Sequence, residues 1–310
     1  MQILKSIDEL SLLQGPIVLA AGTFDGLHRG HQALIRRAQS DAALIQGTAV
    51  VMSFDRHPAS LLRPEKAPKL LTRNATKLEL LEGMGVSAVL LLEFSQTLAD
   101  IPAEDFIRSL VSAAEPLHEI CVGSQWSFGK GGEGNITLLE KLGGEFRFSV
   151  TQIDPVEIHG KPISSTRIRN AVATGDFDEA SACLGHPFLL TGTVITGAGL
   201  GAKIGFPTAN LETEGMQLPP DGVYAVRVSE GARQFKGVCN IGVRPTVDPS
   251  MAHRTVEVHL FDFSENLVGK ELSVEFIQFL RGEQKFPDLS ALTAQIGIDC
   301  ARARELFSFH

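Results

Sequence analysis

Residues 17–38 constrain the fold more than any other stretch. The unbroken apolar run Ile17-Val18-Leu19-Ala20-Ala21 leads into Gly22-Thr23-Phe24-Asp25-Gly26-Leu27-His28-Arg29-Gly30-His31. The helix-favouring Gln32-Ala33-Leu34-Ile35-Arg36-Arg37-Ala38 follows. A run that is apolar at every position suits a strand buried on both faces, as in a parallel sheet. The Asp25-Gly26 turn then delivers His28 and His31 to a helix start. Three positions apart, the two imidazoles share one face. A helix start carries about half a positive charge and free backbone N–H groups, so this corner suits an anion such as phosphate. The alternative is a polar helix start with two surface histidines.

Three further apolar runs, 49–54, 88–92 and 119–123, recur about 30 residues apart, a spacing that suits βαβ units. Beyond residue 186 the pattern changes. Segments 223–228, 238–241 and 255–261 are short, β-branched and separated by turns, as in an antiparallel sheet or barrel. A terminal helix is expected over 289–307, because Leu289, Leu292, Ile296 and Cys300 recur three or four apart. The expected architecture is α/β, with a parallel-sheet, Rossmann-like domain over 1–185. An antiparallel β-barrel domain with a terminal helix follows over 186–310.

The formal charge is −8, and neither half is basic: 17 Lys/Arg stand against 22 Asp/Glu in 1–185, and 11 against 14 thereafter. Nucleic acid is therefore not an expected partner. No apolar run approaches the ~20 residues that span a bilayer, and the start of the chain lacks a signal-peptide core, so a cytoplasmic location is expected. Cys121, Cys183, Cys239 and Cys300 are scattered, which argues against a zinc site or a disulfide framework. Oligomeric state is not legible.

Gly129, Gly131 and Gly134 fit the dinucleotide fingerprint G-x-G-x-x-G, with Asp154 downstream. That loop needs its first glycine at the strand end. The preceding strand is expected to end near Gly123, so the fingerprint is read as a decoy.

Two further segments offer polar chemistry. Ile163-Ser164-Ser165-Thr166-Arg167-Ile168-Arg169 opens an expected helix with good capping residues. If Ser165 starts it, Arg169 stands about one turn on, converging with a hydroxyl and free N–H groups; Arg167 points elsewhere. An ordinary capped helix with solvent-facing arginines is the alternative. Gly197, Gly199, Gly201 and Gly205, with Lys203, form a loop able to wrap phosphates, although no Walker Gly-Lys-Ser/Thr follows. In an extended Thr208-Ala209-Asn210, the hydroxyl and the amide oxygen face one side and can hold a Mg²⁺ that also contacts ATP.

The histidine decapeptide together with Ile-Ser-Ser-Thr-Arg-Ile-Arg resembles the adenylyltransferase domain of the bacterial bifunctional riboflavin kinase/FAD synthetase family. Ser53-Phe54-Asp55-Arg56-His57-Pro58 is similar to that family's F-D-P-H-P, with Arg56 replacing its proline. His57 is either a substrate contact or structural. Where the family shows G-x-D-F-x-F-G or G-x-N-F-x-F-G, this chain has Gly123-Ser124-Gln125-Trp126-Ser127-Phe128-Gly129. The resemblance implies flavin binding near Gln125, Trp126 and Phe128, and ATP binding by Gly22, Phe24, Gly30, Ser164, Ser165 and Thr166. It implies that the FMN phosphate attacks the α-phosphorus of ATP and pyrophosphate leaves. His28 and His31 would contact the phosphates and Arg169 would assist the leaving group.

Gly-Phe-Pro-Thr-Ala-Asn at 205–210, Asp221-Gly222-Val223-Tyr224-Ala225, Asn240-Ile241-Gly242-Val243-Arg244-Pro245-Thr246 and Glu257-Val258-His259-Leu260 occur in order. The series resembles the riboflavin kinase module of the same family. The resemblance makes Glu257 the general base on the riboflavin 5′-hydroxyl, Thr208 and Asn210 the Mg²⁺ ligands, and Gly199, Gly201, Lys203 and Gly205 ATP contacts. Arg281 and Glu283, in Arg281-Gly282-Glu283-Gln284-Lys285-Phe286, would lie near the flavin. His259 shares the face of Glu257 and is either catalytic or a structural hydrogen-bonding residue. The expected function is therefore phosphorylation of riboflavin to FMN and adenylylation of FMN to FAD. A single-activity flavin enzyme and a non-catalytic flavin or nucleotide sensor are the alternatives. A class I aminoacyl-tRNA synthetase, which also uses a His-x-Gly-His corner, is disfavoured: there is no room for an anticodon domain and no Lys-rich second signature.

Overall fold

Aliphatic runs without polar interruption must be covered on both sides, and here they form the middle of a parallel sheet. The computed structural model describes residues 1–197, 199–243 and 254–308. Arg244-Pro245-Thr246 of the second signature series lies outside the described residues. The chain divides into two compact units between Ser165 and Thr166.

In the first unit, strands β1 (Gln2–Leu4), β2 (Ile17–Ala21), β3 (Thr48–Phe54), β4 (Ala88–Leu92), β5 (Leu117–Gly123) and β6 (Ser149–Ile153) lie in the order β1-β4-β3-β2-β5-β6. Every neighbouring pair is parallel. All five residues of β2 and of β4 are buried, each large side chain contributing about 1.5–3 kcal/mol relative to exposure. From β2 the chain moves to β3 on one side, and later to β5 on the other. At such a reversal the loops from adjacent strand ends diverge and open a crevice at the carboxyl edge of the sheet. The histidine corner is built there. His28 caps the helix Arg29–Leu44, which buries Leu34, Ile35, Ala38 and Ala42 as one stripe. A two-stranded ribbon, β7 (Glu157–Ile158) and β8 (Lys161–Pro162), precedes the helix Ser165–Thr174.

The glycine fingerprint has a packing role. β5 ends at Gly123, and Gly129 lies beyond it with φ +73°, where an added Cβ would stand 2.4 Å from the Cα of Ala103. The glycine lets the loop pass against the start of the helix Ala103–Ala113, with no strand-to-helix phosphate turn. All four cysteines are buried and free. Cys121 lies close to Glu119 and Asp41, but burial pushes its thiol far up, first by desolvation and then by Glu119. It is a protonated core side chain.

In the second unit, β9 (Leu189–Ile195), β10 (Ala209–Glu212), β11 (Gly222–Glu230), β12 (Arg233–Val243), β13 (Arg254–Leu260) and β14 (Glu271–Arg281) close into an antiparallel barrel, β10-β13-β12-β11-β14-β9. Along β13, Val256, Val258 and Leu260 are buried, while Thr255, Glu257 and His259 are only half-buried. That alternation sends Glu257 away from the barrel core. Phe261, expected as the last residue of this strand, lies one position beyond it and packs with Cys300, Ala303 and Phe307 of the terminal helix Leu289–Ser308. No helix among the described residues is long and apolar enough to cross a membrane.

Arg281, at the end of β14, is gripped by Asp299 of the terminal helix: Nε and Nη2 donate to the carboxylate at 3.0 and 2.8 Å. Asp299 is 5% exposed and also accepts from Gln295 Nε2 at 3.0 Å. Removing one partner of such a pair strands the other charge. Asp299→Ala is therefore expected to destabilise the chain by about 3 kcal/mol, read as an earlier midpoint in urea unfolding followed by the terminal-helix signal.

Candidate active sites

The first unit encloses a cavity of about 700 Å³ at the carboxyl edge of the sheet. Gly22, Phe24, His28, Gly30 and His31 line it after β2, Phe54 at the end of β3 and His57 just beyond, and Gln125, Trp126 and Phe128 after β5. Ser164 and Ser165 complete the wall. Residues spread over more than 140 sequence positions thus meet because parallel strands present all their carboxyl ends on one edge. Thr166 and Arg169 follow on the same helix as Ser165, in the second unit. Arg167 is committed to Glu179 at 2.6 Å.

The His28 and His31 rings are stacked, with centroids 3.6 Å apart and planes 15° from parallel. His28, only 7% exposed, accepts the His31 backbone N–H on Nδ1 at 3.3 Å. In its neutral form His28 therefore carries its proton on Nε2, as a donor. His31 Nδ1 is buried without a hydrogen-bond partner among the described residues. Burial pushes the His31 pKa well below the usual histidine range, with smaller contributions from His28 and Lys77. His31 is thus neutral at pH 7, able to donate one N–H without a charge to desolvate. Phe24 is fully buried and meets His31 edge-on at 5.2 Å, so it backs the imidazole.

Beside this wall, Asp25 and Lys77 line a smaller cavity and make contacts that the sequence did not show. Asp25 Oδ1 accepts from the backbone N–H groups of Leu71 and Thr72 at 3.0 and 3.1 Å, and the Ser165 hydroxyl donates to the Asp25 carbonyl at 2.9 Å. Asp25 is therefore a latch joining three segments, and the Ser165 hydroxyl keeps its lone pairs for other donors. Lys77, on the helix Asn74–Gly83, is 5% exposed. His57 Nδ1 caps the helix Pro58–Leu62 by accepting from Ala59 N–H at 3.1 Å, so His57 has a structural role while lining the cavity. Trp126 stacks on Phe128 with centroids 4.6 Å apart.

The barrel carries the second cluster. The Thr208 hydroxyl donates to Glu257 Oε2 at 3.4 Å. Glu257 pairs across β13 with Asn210 of β10 on one side and Asn240 of β12 on the other. Residues directly opposite in antiparallel strands face the same side, so a carboxylate stands between two amides. Asn240 was read only as part of a signature; the register places it beside the acid. The glycine loop presses onto this set: an added Cβ on Gly197 would lie 2.1 Å from Asn210 Nδ2, and one on Gly201 3.2 Å from Thr208 Oγ1. Gly199, with φ +67°, starts the short helix Leu200–Lys203, and Gly205 follows at φ +88°. His259 Nδ1 lies 2.8 Å from the Pro207 carbonyl, the structural bond that was its alternative reading. Arg281 is held by Asp299, and Glu283 lies over Gly242, where an added Cβ would be 1.8 Å from Oε1. The oxygen donors of Thr208 and Asn210 suit a hard divalent cation. Gly197→Ala is expected to displace Asn210 and weaken the cluster's chemistry about tenfold, leaving chemistry in the first unit unchanged, as measured by separate assays of the two activities.

An imidazole-lined cavity at the switch point of a parallel sheet, followed by a barrel with a carboxylate among oxygen donors, defines a two-domain nucleotide-using transferase. Residues 11–167 match the FAD synthetase family model and residues 184–307 the riboflavin kinase family model. A bifunctional riboflavin kinase/FMN adenylyltransferase of Escherichia coli (strain K12) is 39% identical over 309 residues, covering 99% of this chain and 98% of that one. Its counterpart in Pseudomonas fluorescens is 38% identical over 307 residues, with the same coverage. A crystal structure described as a macrolide-efflux protein from Streptococcus pneumoniae aligns with a TM-score of 0.79 at 30% identity, covering 96% of this chain and 97% of that one. The chain belongs to the bifunctional riboflavin kinase/FMN adenylyltransferase family.

Proposed function

We propose that the chain phosphorylates riboflavin to FMN on its barrel and adenylylates FMN to FAD in the cavity of its parallel-sheet unit, using ATP for both. The observation that carries this reading is the presence of a separate polar cluster in each family-matched region: the stacked His28–His31 pair in one, Glu257 among Thr208, Asn210 and Asn240 in the other. In functional terms we place the boundary at residues 185/186, where the helix Phe177–Leu184 ends on Gly185 in the left-handed conformation. The working location we propose is the cytoplasm.

In the kinase reaction, Glu257 takes the proton of the riboflavin 5′-hydroxyl as its oxygen attacks the γ-phosphorus, and ADP leaves. Thr208 and Asn210 would hold Mg²⁺, which when bound offsets phosphate charge. Gly199, Gly201, Lys203 and Gly205 bind the phosphates, and Arg281 and Glu283 border the flavin. In the adenylyl transfer, an FMN phosphate oxygen attacks the α-phosphorus and pyrophosphate leaves, with no covalent enzyme intermediate. Catalysis then rests on alignment and on donors to the developing charge. His28 and His31 supply those donors, and Arg169 assists the pyrophosphate. Gly22, Phe24, Gly30, Ser164, Ser165 and Thr166 shape the ATP site, with Gln125, Trp126 and Phe128 against the flavin. Supplying FMN and ATP without riboflavin tests the second half: one pyrophosphate per FAD is expected, and FMN binding without turnover would overturn it.

A further inference from the structure

Lys77 is a lone lysine on a mixed helix, a pattern that reads as a solvated charge, yet it is buried. Its ammonium donates to Ser53 Oγ at 3.1 Å and to the Phe54 carbonyl at 3.0 Å, both at the carboxyl end of β3. Ser53, which is fully buried, donates onward to the Thr23 carbonyl at 3.1 Å. Thr23 lies in the turn that carries β2 into the His28–His31 corner. A three-member relay thus runs from the helix through β3 to the backbone of the phosphate corner. A small cavity beside it, lined also by Asp25, Asp55, Arg56, His57 and Arg73, shares Thr23, Phe54 and His57 with the main cavity.

We propose that Lys77 is a positioning residue of the adenylyl-transfer site: through Ser53 it fixes the Thr23 turn, and so the approach of the paired histidines to the triphosphate. The inference rests on the reading that FMN is adenylylated in this cavity. Charge-assisted hydrogen bonds are shorter and stronger than neutral ones, so the relay is tight only while the amine is protonated. Burial pulls the Lys77 pKa down to about 8, and the carboxylates of Asp25 and Asp55 keep it from falling further. His31 feels the same positive charge, while Arg56, His57 and Arg73 border the cavity. The relay therefore slackens as pH rises through about 8.

The test measures FAD formation from FMN and ATP across this pH range in the full chain, with riboflavin phosphorylation as the internal control. Lys77→Met is expected to lower kcat for FAD formation on the order of tenfold to a hundredfold and to abolish the alkaline limb near pH 8. FMN formation should not change. Ser53→Ala keeps the lysine, removes one hydroxyl and leaves the core volume nearly intact. It should reproduce the loss, and the double variant should lose no more than the worse single one, since the two act as one element. Full kcat in either folded variant, multiplying losses, or an alkaline limb that persists in Lys77→Met would overturn the proposal. Wild-type chain that forms FMN but no FAD would instead overturn the reading on which it rests.

Discussion

Glu257→Gln is expected to suppress riboflavin phosphorylation by about 10²–10⁴-fold, the range for loss of a positioned general base. The substitution keeps the shape of the side chain and can still accept from Thr208, which lies 3.4 Å from Oε2. It removes the one property the reaction needs, an oxygen able to take a proton. The change should therefore fall on kcat, with the KM for riboflavin little altered. FAD formation from supplied FMN should remain near the wild-type rate, because Glu257 is not among the residues that line the cavity assigned to that chemistry.

His31→Ala should do the reverse, reducing FAD formation by about 10²–10³-fold, the range for loss of one preorganised donor to a developing charge. His31 is stacked on His28 at 3.6 Å and backed by Phe24 at 5.2 Å, so its ring is held before any ligand arrives. Truncation removes both the donor and the surface against which His28 lies. His31→Gln, which restores a donor without a ring, should recover part of the loss. FMN formation is the control and should be unaffected. Equal impairment of both activities by Glu257→Gln and His31→Ala, with folding verified, would contradict two independent sites.

What the sequence made legible were the features whose physical cause is local. β2 and β4 are continuous apolar runs whose burial follows from composition alone, and β3 and β5 each carry a buried apolar stretch, Val50-Val51-Met52 and Ile120-Cys121-Val122, that marks them as strands. The histidine pair was legible because three residues separate its members on one helix start. β1 and β6 were missed: one is three residues long, and the other, Ser149–Ile153, has no buried position, so neither carries the pattern of a central strand. β9 and β14 were missed because Thr, Gly, Ser, Glu and Gln interrupt them, and β10 was legible only as the extended Thr208-Ala209-Asn210; barrel closure, not composition, makes them strands. The contacts of Lys77, Asp25 and Asp299 are long-range, joining segments 24, 46 and 18 residues apart. Nothing in the neighbouring residues distinguishes these from solvated charges. Asn240 falls between these cases: its strand was expected, but only the register sets it beside Glu257.

The central claim is that one polypeptide carries out two successive transfers. A chromatographic time course of the purified chain with riboflavin, excess ATP and Mg²⁺ tests it most directly. FMN should rise first and then decline as FAD appears, with ADP and pyrophosphate released in step with the two products. FMN that accumulates to completion with no FAD, or riboflavin left unconverted while supplied FMN becomes FAD, would contradict it.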